Sequence, residues 1–144
     1  ATAEDMPAVA AIYAHHVATG FGTFEEIPPS AEEMLRRFRE LEAGGYPWLV
    51  AAAGAAVAGY AYAGPYHRRS AYRFTLEDSI YVHPGMAGRG VGRALLADAG
   101  QAAGWRERGA RGPHAPQAVA ASEPVRARAC PTQSSRSMRP GKAR

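Results

Sequence analysis

Two acids stand side by side in an otherwise apolar run, Glu77 and Asp78 in "TLEDSIYVHP" (residues 75–84). A carboxylate there could take a proton from a nucleophile. A second carboxylate close by would oppose its ionisation and raise a pKa toward the working range. Strand alternation sends neighbours to opposite faces, which weakens that coupling, and a solvated strand residue is the plain alternative for Glu77. Directly downstream, "GMAGRGVG" (85–92) places four glycines in eight residues and opens into "RALLADAG". Gly88, Gly90 and Gly92 let the backbone approach a ligand closely, and the first amides of a following helix lack internal partners. With the positive end of the helix dipole they make an anion site suited to a pyrophosphate. A P-loop would need Gly-Lys-Ser/Thr, which is absent, and a G-x-G-x-x-G fingerprint fails at Arg93. A tight turn that binds nothing is the remaining alternative.

The histidines offer no metal. His15 and His16 are adjacent on a predicted helix and point about 100° apart, so they cannot chelate together. His83 and His114 have no partner at ligand spacing, and the single Cys130 can form no internal disulfide. A reducing cytoplasm is the expected compartment.

These residues need elements to position them. Thr2 to Asp5 reads as a capping box for a helix whose apolar positions are Met6, Val9, Ile12, Tyr13, His16 and Val17. After the loop "TGFGTFEEIPPS", Ser30 to Glu33 is a second capping box, and Met34, Phe38 and Leu41 form the stripe of a helix that Gly44-Gly45 stops. "YPWLVAAAG" and "AAVAGYAYAG" read as a hairpin turning near Gly54, followed by the polar loop "PYHRRS". "AYRFTLEDSIYVH" reads as a third strand, with Leu76, Asp78, Ile80 and Val82 on one face and Glu77, Ser79, Tyr81 and His83 on the other. Pro84 ends it. Val91, Ala94, Leu95, Ala99 and Ala102 give the apolar side of a last helix, ending around Gly104.

At 144 residues the chain is at most one ordinary domain, and its two parts differ in kind. Up to Gly104 there are eight basic and eleven acidic residues; beyond it there are nine basic and two acidic, so the net charge of +4 describes a tail. From Trp105 onward there is no Leu, Ile, Phe or Tyr, and five prolines break any periodicity. Such a segment cannot offset roughly 1–2 kcal/mol of ordering entropy per residue, so 105–144 is expected to be disordered. An arginine-rich arm for nucleic acid is the competing reading, disfavoured because no aromatic follows Trp105 and no repeat appears. No run approaches 18 apolar residues, which excludes a transmembrane helix. The acidic N-terminus is not a signal peptide, and the missing initiator Met implies processing or a start inside a longer frame.

Pro84 followed by "GMAGRGVGRALL" closely resembles the acetyl-coenzyme A motif of the GCN5-related N-acetyltransferase (GNAT) superfamily, a Q/R-x-x-G-x-G/A turn after the family's fourth strand. "TFEEIPPS", "YPWLVA", "GYAYAGPYHRRSAYRFTLEDSIYVHP" and "GRGVGRALL" are similar to the phosphinothricin and methionine sulfoximine acetyltransferase branch. The resemblance runs from residue 1 to 104, with Ala87 in place of the motif's Q/R.

The resemblance implies an α/β (α+β) GNAT fold with a mixed, mostly antiparallel sheet, and an acetyl-CoA-dependent N-acetyltransferase acting on a small amino-acid-like amine. It matches Glu77 to the acid that deprotonates that amine. Ile80, Tyr81 and Val82 match the strand edge that meets the pantetheine arm and polarises the thioester carbonyl. Gly88, Arg89, Gly90, Val91, Gly92 and Arg93 match the pyrophosphate cradle. Phe24, His67, Arg69 and Tyr72 match the substrate pocket, with Arg69 suited to a carboxylate or phosphinate; His67 stands where many relatives carry arginine. A homodimer is implied, with no metal and no membrane.

The family's first strand and its C-terminal strands are expected to be absent here. With them go a downstream Asn, Ser and His-containing segment and the proton donor to sulfur. A frameshift near Trp105 would account for the change in composition, and translating the other two frames of the gene tests it. A chain with half a cleft wall would be unstable or inactive, and a non-catalytic acyl-CoA- or nucleotide-binding remnant is the alternative function.

Overall fold

Thr2 anchors the first helical segment through its two donors. Its backbone N–H and its hydroxyl both donate to the Asp5 carboxylate, at 2.8 and 3.0 Å. A 3-10 turn, Ala3–Asp5, leads into α1 (Met6–Thr19), which buries Met6, Val9, Ala10, Ile12 and Tyr13. The computed structural model describes residues 1–20, 22–102 and 126–129. α2 (Ala31–Ala43) starts where Ser30 Oγ accepts the Glu33 N–H at 3.2 Å. That capping box is only half made, because the Glu33 carboxylate bonds Arg36 and Arg37 instead. Gly44 caps the helix, and Gly45, at φ 75°, turns the chain away from it.

β1 (Trp48–Ala53) and β2 (Ala56–Pro65) form the expected hairpin around Gly54, at φ 61°. β3 (Leu76–Val82) is shorter than its alternation predicts. Residues expected at its start instead close a 3-10 turn, Ser70–Tyr72, held by Tyr72 N–H to Arg69 O, Arg73 N–H to Ser70 O and Thr75 N–H to Tyr72 O. A 3-10 turn at Pro84–Met86 and the glycine turn then lead into α3 (Val91–Ala102). Val91, Leu95 and Ala99 are buried, while Ala102, expected on the buried side, is exposed.

The described strands form one sheet in the order β3-β2-β1-β4, and every pairing among them is antiparallel. α1 and α2 cover one face, packing Met6, Val9, Ile12, Met34 and Phe38 on Trp48, Val50, Tyr60 and Tyr81. α3 covers the other, packing Val91, Leu95 and Ala99 on Leu49, Ala51, Ala58 and Ala61. Each large side chain buried this way contributes about 1.5–3 kcal/mol. The small residues on the α3 face let that helix sit close. A Cβ on Gly59 would lie 2.8 Å from the Tyr81 carbonyl oxygen and 3.1 Å from a Val91 methyl carbon.

β4 (Arg126–Ala129) pairs with the outer edge of β1, Val50 opposite Arg128 and Ala52 opposite Arg126. This short strand lies inside the segment expected to be disordered. It occupies an edge of the sheet that the sequence reading left empty. The remaining residues of 103–144, and with them the expectations for His114 and Cys130, lie outside the described residues.

Candidate active site

Among the described strands β3 sits at the end of the sheet, and its register decides which backbone groups face outward. Tyr66 N–H bonds Thr75 O at 3.2 Å and His83 N–H bonds Ala58 O at 2.9 Å, so bonded pairs bracket the strand. Bonded and non-bonded pairs alternate in an antiparallel ladder. Glu77, Ser79 and Tyr81 therefore exchange backbone bonds with Gly64, Tyr62 and Tyr60. The N–H and C=O groups of Leu76, Asp78, Ile80 and Val82 point off the open edge. Of the three residues expected to offer edge amides, Ile80 and Val82 do so, and Tyr81 does not. Tyr81 is instead buried, its ring 4.9 Å from Tyr13 and 5.2 Å from Tyr60.

Glu77 lies exposed on the α1/α2 face of this edge strand, opposite Gly64, and Asp78 lies on the other face, opposite Ala63. The two carboxylates are thus turned apart, as alternation requires. Two residues upstream of Glu77 ends the loop that joins β2 to β3. In it the rings of Tyr66, His67 and Tyr72 gather within 5.4–6.5 Å of one another. His67 Nδ1 accepts the Arg69 backbone N–H at 3.3 Å, and the exposed Arg69 makes no ion pair among the described residues. The Arg73 guanidinium carbon sits 4.5 Å from the centre of the Phe74 ring. Phe24 is fully exposed and stands apart from that ring cluster.

At the other end of β3, His83 Nδ1 accepts the Gly85 N–H at 3.1 Å and shapes the entry to the glycine turn. Gly88 and Gly90 take φ of 75° and 79°, a left-handed backbone that side chains disfavour. A Cβ on either would meet nothing within 4 Å, so the turn faces open space. The Ala94 N–H bonds Gly90 O at 3.0 Å, the first turn of α3. The N–H groups of Val91, Gly92 and Arg93 precede that bond and have no partner within the helix. Ala87, Arg89 and Arg93 are exposed, and neither arginine makes an ion pair among the described residues.

One constellation escaped the sequence reading. Tyr13 OH bonds Thr23 Oγ1 at 2.7 Å and the Glu25 carboxylate at 3.0 Å, and Arg37 reaches the same carboxylate at 2.7 Å. Arg37 also donates to Glu33 at 2.8 Å, and Arg36 bridges Glu33 and Glu40. The Arg37 hydrogen bond holds the Glu25 carboxyl below its ordinary range. Arg36 first, then Arg37, brings Glu33 to about 2. Burial pushes the Tyr13, Tyr60 and Tyr81 hydroxyls up. This latch ties the loop carrying Phe24 to α1 and α2. Beside it lies a groove of about 360 Å³ lined by Tyr13, Met34, Arg37, Trp48 and Tyr62, which takes in neither Glu77 nor Arg69. His16, expected on the apolar face of α1, makes a polar contact that its spacing does not signal: its Nε2 lies 2.9 Å from Val82 O. A carbonyl only accepts, so Nε2 carries the proton. Among the described residues no cluster of metal-ligating side chains occurs.

The model of the acetyltransferase (GNAT) domain matches residues 44–128. The match runs past residue 104, the expected end of the resemblance, and into β4. Phosphinothricin N-acetyltransferase of Alcaligenes faecalis is 55% identical over 93 residues, 65% of this chain and 47% of that protein. The L-methionine sulfoximine/L-methionine sulfone acetyltransferase of Salmonella typhimurium is 34% identical over 64% of this chain and 54% of its own length. The chain spans about half the length of the curated relatives it matches. A crystal structure of a phosphinothricin acetyltransferase from Sinorhizobium meliloti in complex with AcCoA superposes with a TM-score of 0.68 at 45% identity, covering 71% of this chain and 56% of that one. An open strand edge running into a glycine turn at a helix N-terminus, with the family's own model matched over more than half of the sequence, makes this chain a member of the GNAT acetyltransferase family.

Proposed function

We propose that the chain serves as an acetyl-CoA-dependent N-acetyltransferase that moves acetyl to the amine of a small amino-acid-like substrate, of the phosphinothricin or methionine sulfoximine type. The observation that carries this reading is the continuity of the edge and the turn. From Glu77 to Val82 the open edge runs roughly 16 Å, at about 3.3 Å per residue. It ends at an exposed turn, where a Cβ on Gly88 or Gly90 would meet nothing within 4 Å. A diphosphate suits that turn, since the N–H groups of Val91, Gly92 and Arg93 bond no backbone carbonyl among the described residues and no Cβ intrudes at Gly88 or Gly90. The exposed side chains of Arg89 and Arg93 add positive charge.

Bound along this edge, acetyl-CoA would supply an activated acyl thioester. Ile80 and Val82 present N–H donors to a carbonyl lying on the edge. Glu77, exposed on the strand, takes the proton that the amine loses, directly or through a water, as the N–C bond forms and the C–S bond breaks. Arg69 holds a carboxylate or phosphinate, with His67 and Tyr72 beside it. Fully exposed Phe24 completes that wall if a second copy of the chain brings it in, which is how a homodimer would enter the reading. A reducing cytoplasm suits a chain with one cysteine. No helix among the described residues is long and apolar enough to cross a membrane.

Coenzyme A release from acetyl-CoA with methionine sulfoximine or phosphinothricin tests the proposal. Glu77→Gln should lower kcat by about a hundredfold or more, with little change in the affinity for acetyl-CoA. Turnover indifferent to Glu77 would remove it from the chemistry. The open outer edge of β3 favours one other outcome: tight acetyl-CoA binding without turnover, the behaviour of a non-catalytic acyl-CoA-binding remnant.

A further inference from the structure

The last peptide of the β3 edge is held from both sides. Its N–H, on His83, donates inward to Ala58 O at 2.9 Å, and its C=O, on Val82, accepts from His16 Nε2 at 2.9 Å. The His16 ring is seated against Tyr81, with centroids 5.5 Å apart, and against His15 at 5.6 Å. The Val82 side chain abuts the helix at the far end of the glycine turn, since a Cβ on Gly92 would sit 3.5 Å from its Cγ2. This one peptide therefore joins α1, β2 and the start of α3 at the point where the edge passes into the turn. Along the rest of the edge each outward N–H has an outward C=O beside it. At Val82 the C=O already accepts from His16, with one lone pair spent, while the N–H keeps its full capacity for a ligand.

We propose that His16 is a positioning residue for acyl-cofactor binding. By bonding the Val82 carbonyl it biases the end of the edge toward donation, so that a ligand's carbonyl is favoured there over a ligand's N–H. It also fixes the orientation of the peptide that leads into the glycine turn. The inference rests on the reading of the edge and turn as an acetyl-CoA site, and it adds a residue from α1 that acts through the Val82 carbonyl. A sequence pattern could not supply it, because His16 lies 66 positions from its partner.

Two substitutions in the full chain separate the hydrogen bond from the packing. His16→Phe keeps an aromatic ring against Tyr81 and loses the donor. His16→Gln keeps a donor at the reach of Nε2 and loses the ring. Titration calorimetry with acetyl-CoA should show affinity reduced about five- to tenfold in His16→Phe, the worth of one hydrogen bond, and within about twofold of the parent in His16→Gln. Nitrogen-15 NMR of the neutral imidazole should find the proton on Nε2, before and after acetyl-CoA is added. Equal affinity in parent and His16→Phe, equal loss in both variants, or release of the Nε2 bond on ligand binding would each overturn the role given to His16. A parent chain that binds no acetyl-CoA overturns the cofactor reading itself and this inference with it. Normal binding by the parent with no response to His16→Phe overturns the inference alone.

Discussion

Arg37 shows how much one side chain can organise. It donates to Glu25 on the α1–α2 loop and to Glu33 one turn back on its own helix, and through Glu25 it meets the Tyr13 hydroxyl on α1. The i,i+4 relation to Glu33 is visible in the sequence, but Glu25 is twelve positions away across two prolines. No periodicity could have paired them. Both carboxyls have folded-state pKa values depressed from about 4.5, Glu33 to about 2. A depressed carboxylate stabilises the fold above its unfolded pKa and loses that contribution as pH falls through the folded value. The latch should therefore be complete at pH 5 and above and vanish toward pH 2. Arg37→Met should lower stability by about 1 kcal/mol at pH 7. The value is modest because water screens a pair whose side chains are 33% and 37% exposed. Thermal melts of parent and variant should converge as pH drops from 5 to 2. A gap that stays constant over that range would mean the ion pairs contribute nothing and only the aliphatic stem of Arg37 matters.

At the scale of elements, the seat of the glycine turn depends on how closely α3 lies on the sheet. Val91, the first residue of α3, is buried over Gly59. Gly59→Ala would put a methyl 2.8 Å from a backbone oxygen that cannot move without unpairing β2 and β3. The expected cost is about 1–3 kcal/mol in urea unfolding, with weaker acetyl-CoA binding as α3 is pushed outward. Gly90→Ala makes the contrast. Its methyl would meet nothing, so its cost is about 1 kcal/mol of left-handed backbone strain alone. If Gly90→Ala proves the more destabilising of the two, close seating of α3 is not what Gly59 provides. The same comparison shows what the sequence made legible. Glycines at a helix end, a hairpin turn and a strand-to-helix turn announced α2, β1–β2 and the candidate site, because each glycine marks a local backbone need. The start of β3 was misread because "AYRFTLED" alternates like a strand, while the 3-10 turn at Ser70–Tyr72 is set by three backbone bonds that leave no side-chain signature. The division of Ile80, Tyr81 and Val82 into edge and ladder was hidden for a related reason. Alternation reports which face a side chain takes, but which backbone groups are bonded depends on the register of the partner strand.

For the whole molecule, the decisive matter is how the sheet ends. Among the described residues β3 leaves one edge open, which the proposed function uses. The other edge, on β1, is closed by β4. Arg126–Ala129 alternates arginine with alanine, has no large apolar residue, and gave no reason to expect a strand. Its pairing depends on what β1 offers: an apolar strand, "WLVAAA", whose outer backbone groups would otherwise stand unpaired. Ladder alternation again assigns those groups. Ala63 N–H bonds Pro47 O, so Leu49 and Ala51 face β2, and Trp48, Val50 and Ala52 face outward. The Ala1 ammonium reaches the Trp48 carbonyl at 3.4 Å, and β4 takes Val50 and Ala52. Arg128→Pro removes the N–H opposite Val50 and cannot be accommodated in a ladder. Amide hydrogen exchange should then quicken about tenfold or more at Val50 and Ala52, while Leu49 and Ala51, bonded to β2, keep their protection. Uniform exchange across all four amides would mean that β1 is already an open edge and that β4 does not close it. Selective loss at the two outward amides would make the arginine-rich segment part of the domain, in keeping with a family match that reaches residue 128.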